Sequence, residues 1–242
     1  MSKRILITND DGIGAPGIAY LASWAKKLGS VTVVAPKYEQ SASSHSIILR
    51  RPFEFKKSDV LSIEGIDAYT LDAMPADCVR FAADMIGNFD LVFSGINPGY
   101  NIGYDIAYSG TCAAAFEGNY AGAKSVAFST ERGNLEQAAK MLDTVWEFFE
   151  QNALFERCDM YNVNIAKDMK GIRITRQGAT FYRDNFEKCG EDMYKATTYI
   201  AHHYSEGGDP YIDTNAVYEG FCSISPLCVN RTENKTFEFF NK

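Results

Sequence analysis

Arg4-Ile5-Leu6-Ile7-Thr8-Asn9-Asp10-Asp11-Gly12 decides how the rest of the chain reads. A short apolar run bounded by turn chemistry suits a strand buried on both faces, here residues 4–8. Asn-Asp-Asp-Gly then makes the turn. Pro16 fits the first position of a helix. After it Ile18, Leu21, Ala25 and Leu28 recur at helical spacing, with Gly29 as the C-terminal cap. Residues 31–35 are rich in valine and end at Pro36, which predicts a second strand. One strand–helix–strand unit of this kind has parallel strands and a right-handed crossover.

The alternation repeats downstream. Residues 78–86 suit a helix closed by Gly87, and 91–93 a strand. Residues 111–120 suit a helix and 126–128 a strand, and Leu135, Ala138, Leu142, Val145 and Phe149 form an apolar helical stripe. The pattern predicts a three-layer α/β domain with a mostly parallel sheet. The texture changes near residue 161. Residues 161–165 and 172–175 read as strands, and 177–213 is polar and aromatic without a long helix. That stretch is either a hairpin arm able to pair with another subunit or an irregular connection. The expected division is a core over 1–165 and a C-terminal extension over 166–242, together one structural unit.

Composition narrows the functional classes. With 242 residues, 46% hydrophobic and 23% charged, the chain can bury a core without disulfide or zinc staples. A net charge of −7 argues against a nucleic-acid polymer as partner, because such surfaces need excess Lys and Arg. It leaves room for a small anionic substrate. No apolar run nears the roughly 20 residues that span a bilayer, so no membrane partner is expected. The N-terminal run is too short for a signal peptide, and the expected compartment is cytoplasmic. None of the six cysteines forms a C-x-x-C pair, which leaves zinc and dithiol chemistry unsupported.

Ligands of open parallel sheets gather beyond the carboxyl ends of the strands. Three loops end there. They carry Asn9-Asp10-Asp11, then Glu39-Gln40-Ser41 with Ser43-Ser44-His45-Ser46, then Ser94-Gly95-Ile96-Asn97. Adjacent carboxylates repel unless a cation or a proton lies between them. Asp10, Asp11, the Ser41 hydroxyl and the Asn97 amide oxygen are all hard oxygen donors, which suit Mg²⁺, Mn²⁺ or Ca²⁺. Alone, Asn-Asp-Asp-Gly would read as a solvated turn, and the convergence of three loops favours the metal site. Ser109-Gly110-Thr111 opens a helix, where free N–H groups and the dipole suit a phosphate, although Ser109 is equally a plain N-cap. No Walker A lysine and no G-x-G-x-x-G accompany these loops. His45 is a candidate proton donor or phosphate ligand against a reading as polar surface. His202 and His203 read as surface, and Ser94-Gly95 lacks the flanks of a serine-nucleophile elbow.

These blocks together resemble the SurE family of survival-protein nucleotidases and phosphatases. The resemblance rests on Ile5 to Gly12, Gln40-Ser41, His45-Ser46 and Pro75-Ala76-Asp77-Cys78-Val79. It continues through Ser94-Gly95-Ile96-Asn97-Pro98-Gly99-Tyr100-Asn101-Ile102-Gly103, Tyr108-Ser109-Gly110-Thr111 and Glu117-Gly118. Near the end it takes in Asp213-Thr214, Ala216-Val217 and the run from Gly220 to Leu227. It implies a Rossmann-like core and a C-terminal extension exchanged between subunits of a homodimer or homotetramer. It also implies a metal-dependent phosphomonoesterase acting on nucleoside 5′-monophosphates, some members taking 3′-nucleotides or polyphosphate. One divalent cation per subunit would rest on Asp10, Asp11, Ser41 and Asn97. Asp10 or Asp11 would align or deprotonate the attacking water, while Asn9, Ser109, Gly110 and Thr111 hold phosphate oxygens. Rival readings are a phosphoryl transferase and a non-catalytic nucleotide sensor. Ala42, Pro98 and Asp72-Ala73-Met74-Pro75 depart from the usual pattern without removing a ligand.

Overall fold

The structure, a computed structural model, describes residues 2–202 and 208–241. The chain runs through β1 (Lys3–Thr8), α1 (Pro16–Ala25), β2 (Gly29–Pro36), β3 (Phe55–Lys57), β4 (Asp67–Leu71), α2 (Pro75–Met85) and β5 (Leu91–Pro98). It continues with a 3₁₀ turn (Gly103–Ala107), α3 (Gly110–Tyr120), β6 (Lys124–Thr130), α4 (Leu135–Gln151), β7 (Met160–Ile165) and β8 (Ile172–Ile174). The hairpin β9 (Tyr182–Lys188) and β10 (Tyr194–Ile200) follows, then α5 (Asp213–Tyr218), β11 (Cys222–Pro226) and α6 (Asn234–Phe240).

Nine strands form one sheet in the order β3-β4-β2-β1-β5-β6-β7-β11-β8. From β4 to β7 every neighbouring pair is parallel, and β3 and β11 join antiparallel. The strand order reverses between β1 and β5, because the chain first winds outward through β2 and β4 and then returns to wind the other way. That reversal opens a crevice at the carboxyl ends of β1 and β5, the usual ligand position in such sheets.

Side-chain alternation builds the two outer layers. Ile5 and Ile7 of β1 face α1 and α4, where Ile18, Leu21, Leu142, Val145 and Phe149 close one core. Leu6 faces the opposite layer, where Val79 and Ala82 of α2 and Ala114 of α3 close a second core. Burying such a side chain contributes about 1.5–3 kcal/mol, so β1 is held from both faces. Phe93, Phe128 and Trp146 pack edge to face in the first core at centroid distances of 5.5 and 5.6 Å. Layering is tightest where α1 meets β5. A Cβ at Gly17 would lie 2.0 Å from the Ile96 carbonyl oxygen, so only glycine permits this approach.

Gly87 ends α2 as expected, at φ +112° with its N–H donating to the Ala82 carbonyl at 3.1 Å. Gly29 does not cap α1. It is the first residue of β2, set so close to β1 that a Cβ would lie 2.2 Å from the Lys3 carbonyl oxygen. The stretch after β8 contains a hairpin rather than only irregular chain. β9 and β10 pair with each other over seven residues and stand apart from the main sheet. Apart from Tyr182, every residue in the two strands is exposed.

Candidate active site

β1 ends at Thr8 and delivers Asn9, Asp10 and Asp11 to the mouth of the crevice. Asn9 is fully buried, and its Nδ2 donates to the Gly12 carbonyl at 2.9 Å. This bond, with Gly12 at φ +91°, closes the turn and leaves Asn9 Oδ1 without a partner among the described residues. Asp10 is 5% exposed. Its Oδ1 accepts the Thr111 hydroxyl at 2.6 Å, and the carboxylate also accepts the Thr111 N–H. Burial raises the Asp10 carboxyl above the usual carboxylate range, and the two Thr111 donors pull the other way. Asp11 is half-buried, and burial pushes it up to about 7, reinforced by the neighbouring charges of Asp10 and Glu39. Arg132 opposes that rise. Asp11 Oδ2 is shielded from solvent and has no hydrogen-bond partner among the described residues.

The other two loops reach the same rim. Gln40 N–H donates to the Asp10 carbonyl at 2.7 Å and ties the segment after β2 to the turn after β1. Next to it, the exposed Ser41 hydroxyl donates to Glu39 Oε1 at 2.6 Å and keeps its lone pairs. β5 runs beside β1 with Thr8 opposite Ser94, and its pairing with β6 slips between Ser94 and Asn97. Asn97 is half-buried, and its Nδ2 donates to the Gly99 carbonyl at 2.7 Å, which leaves Oδ1 as its available group.

These groups fit a hard divalent cation. An orphaned carboxylate oxygen on Asp11 costs free energy that a positive charge would recover. The remaining donors are an amide oxygen and a hydroxyl, the chemistry of magnesium and manganese sites. Among the described residues no cluster of three or more His, Cys, Asp and Glu side chains could hold a metal. A cation here would need donors besides these four residue types, and the Asn97 amide oxygen and the Ser41 hydroxyl are of the right chemistry.

α3 points its N-terminus into the crevice. Ser109 is the N-cap, and its hydroxyl accepts the Cys112 N–H at 3.0 Å. At Gly110 a Cβ would lie 2.8 Å from Ser43 Oγ and 2.9 Å from the Asp10 Cβ, so glycine lets three segments meet. Thr111 spends its hydroxyl and its N–H on Asp10. The Gly110 N–H, in the first helical turn, has no intrahelical acceptor.

His45 is turned towards the flank of α3. Its Nε2 lies 2.7 Å from Glu117 Oε1, and its ring stacks on Phe116 at 6.1 Å. Arg80 approaches the other Glu117 oxygen at 4.0 Å. His202 stacks on Phe181 at 5.5 Å near the base of the hairpin, and His203 lies outside the described residues. Three residues at the site carried no assignment from sequence. Glu39 and Ser43 stood among the polar residues after β2, and Arg132, in the loop after β6, gave no signal.

The family model described as Survival protein SurE matches residues 5–184. The chain is 38% identical to the 5′-nucleotidase SurE of Thermosipho melanesiensis, over 96% of this chain and 94% of that protein. It is 37% identical to the 5′-nucleotidase SurE 1 of Thermus thermophilus, over 97% and 95%. The crystal structure of the SurE protein from Aquifex aeolicus superposes with a TM-score of 0.80 at 33% identity, covering 99% of this chain and all of that one. A doubly wound sheet with its polar loops gathered at the strand reversal, matched along nearly its whole length by these relatives, makes the chain a member of the SurE family.

Proposed function

We propose that this chain is a metal-dependent phosphomonoesterase that hydrolyses nucleoside 5′-monophosphates to nucleoside and phosphate. The observation that carries the reading is the Asp10–Asp11 pair, one buried and one half-buried, set beside the N-terminus of α3. Relatives of similar length bear the name 5′-nucleotidase. Asp10, Asp11, Ser41 and Asn97 would hold one Mg²⁺ or Mn²⁺, with Ca²⁺ as the third option. When bound, the ion neutralises phosphate charge as the P–O bond breaks.

The chain's own groups divide the remaining work. Thr111 fixes Asp10 through two hydrogen bonds, so one carboxylate is oriented before substrate arrives. Asp11, with an unpartnered oxygen, aligns the attacking water opposite the ribose oxygen and takes its proton. The Gly110 N–H and the dipole of α3 bind a non-bridging phosphate oxygen, Ser109 keeps that helix end capped, and the Asn9 amide holds the turn from which both aspartates project.

Phosphate release from AMP is the direct test, run with Mn²⁺ and again after exhaustive chelation. Hydrolysis with the ion and none without it supports the reading. Tight AMP binding with no release over hours, or full activity after chelation, overturns it. No helix among the described residues is long and apolar enough to cross a membrane. We place the activity in the cytoplasm and the working form as a homodimer or homotetramer. The exposed Phe186, Tyr194, Tyr199 and Ile200 of the β9–β10 hairpin are the surface on which a second copy would pair.

A further inference from the structure

We infer that Ser43 is a substrate-binding residue whose hydroxyl donates to a phosphate oxygen held at the N-terminus of α3. The inference rests on the phosphomonoesterase reading and adds a residue that reading does not use. Ser43 Oγ is sealed from solvent and has no hydrogen-bond partner among the described residues. A hydroxyl shut away without a partner destabilises the fold relative to one that is satisfied. Nothing in the fold requires it, since alanine would fill nearly the same space. A ligand oxygen that accepts the proton would recover that cost.

Its position says which ligand. The space that a Cβ on Gly110 would fill lies 2.8 Å from Ser43 Oγ and 2.9 Å from the Asp10 Cβ. The hydroxyl therefore stands against the first turn of α3, across from the carboxylate pair, where the Gly110 N–H has no intrahelical acceptor. Ser43 and the aspartate loop both approach Gly110 within contact distance, so an anion bound at this helix end would lie beside both. The hydroxyl and the amide are both neutral donors, so they add hydrogen bonds to a phosphate without competing with a cation for the aspartates.

The loop is built to hold Ser43 there. Its N–H donates to the Gln40 carbonyl at 3.2 Å, and its carbonyl accepts the Ser46 hydroxyl at 2.7 Å. Next to it, the Ser44 N–H donates to the Tyr108 carbonyl at 2.9 Å and fastens the loop to the segment that enters α3. Ala42 and Ser44, on either side of Ser43, both occupy the left-handed region at φ +55° and +53°.

Ser43→Ala, Ser43→Thr and the wild type, loaded with Mn²⁺, test the assignment through three readouts. We expect Ser43→Ala to lower kcat/KM for AMP roughly 10- to 100-fold and to weaken inhibition by inorganic phosphate. Its melting temperature should equal or exceed that of the wild type, because an orphan has been removed. Ser43→Thr, which keeps the hydroxyl, should recover most of the activity. Wild-type kcat/KM and phosphate inhibition in Ser43→Ala overturn the inference while leaving the hydrolase reading intact. If the wild type releases no phosphate from AMP, the hydrolase reading falls instead. Calorimetric titration of inorganic phosphate then decides on Ser43, and equal affinity in wild type and Ser43→Ala overturns its role.

Discussion

Thr111 Oγ1 donates to Asp10 Oδ1 at 2.6 Å, a contact between residues 101 positions apart, and the Thr111 N–H reaches the same carboxylate. One residue at the start of α3 thus orients a buried acid at the end of β1. The link joins the helix end to the carboxylate loop, so a change at either alters both.

Thr111→Val tests that link at nearly constant volume. It removes the hydroxyl and leaves a buried carboxylate one donor short, which should cost about 1–3 kcal/mol of stability. We expect kcat/KM to fall at least 10-fold as Asp10 loses its fixed orientation. Denaturant unfolding beside steady-state phosphate release measures both, and unchanged values in the two assays would sink the proposed role.

Asp11 gives the metal-free protein a pH signature. Its folded value of about 7 lies above the ordinary carboxylate value of 3.8, chiefly through burial. The folded state therefore holds this proton more tightly than the unfolded state. The contribution is fully present below the ordinary value and is lost as pH rises towards 7. In Asp11→Asn the decline from this group should vanish. Above pH 7 the metal-free variant should melt a few degrees higher than the metal-free wild type, and with Mn²⁺ added it should fail to hydrolyse AMP where the wild type succeeds. Thermal melts from pH 4 to 8 in chelator check the sign.

A cation that binds only the folded chain must stabilise it. At a free concentration 100 times Kd the gain is about 2.7 kcal/mol, which for a domain of this size raises Tm by roughly 5–10 °C. Mn²⁺ should produce that shift in the wild type and little of it in Asp10→Asn or Asn97→Ala. An equal shift in all three would place the ion elsewhere.

Ala42 stands at φ +55°, where a side chain costs about 1–2 kcal/mol that glycine avoids. After allowing for the greater chain entropy of glycine, Ala42→Gly should stabilise the protein by about 0.5–1 kcal/mol. Because the same substitution loosens the loop carrying Ser41 and Ser43, turnover should stay level or fall. Chemical denaturation reads the first effect and phosphate release the second.

The hairpin should decide assembly. Phe186 and Ile200 are 72% and 62% exposed, so Phe186→Ser with Ile200→Ser should leave the fold intact. We expect light scattering to report a dimer or tetramer for the wild type and a smaller species for the double variant, with unchanged circular dichroism. A double variant of wild-type mass would rule out these two side chains as the contact.

Hydropathy exposed the central strands because a parallel strand covered on both faces must be apolar throughout, as Ile5, Leu6 and Ile7 are. It hid β11, where Ser223 and Ser225 are fully buried and pair through hydroxyls with Thr175 at 2.8 and 2.7 Å. No apolar pattern marks a strand that satisfies its polar side chains across the sheet. α5 has six residues, too few for a helical period to register. Gly29 misled because a glycine after a helical stripe has the same appearance whether it ends a helix or lets two strands approach. At the site, Asp10, Asp11 and Asn97 were legible as polar residues closing apolar runs. Thr111 as the holder of Asp10, and Ser43 as its neighbour across Gly110, depend on tertiary packing that spacing does not encode.

Gly17 seats its helix directly on the Ile96 carbonyl, one residue before Asn97. With no side chain between them, helix and strand have no slack in which to slide, so the floor beneath the candidate site is a fixed anvil. Adaptation to a bulkier or differently shaped ester must then come from rewriting the connecting segments that overhang it. Relatives built on this frame should differ in what they accept through loop length and sequence, while the position of the asparagine stays constant to within the thermal motion of the sheet.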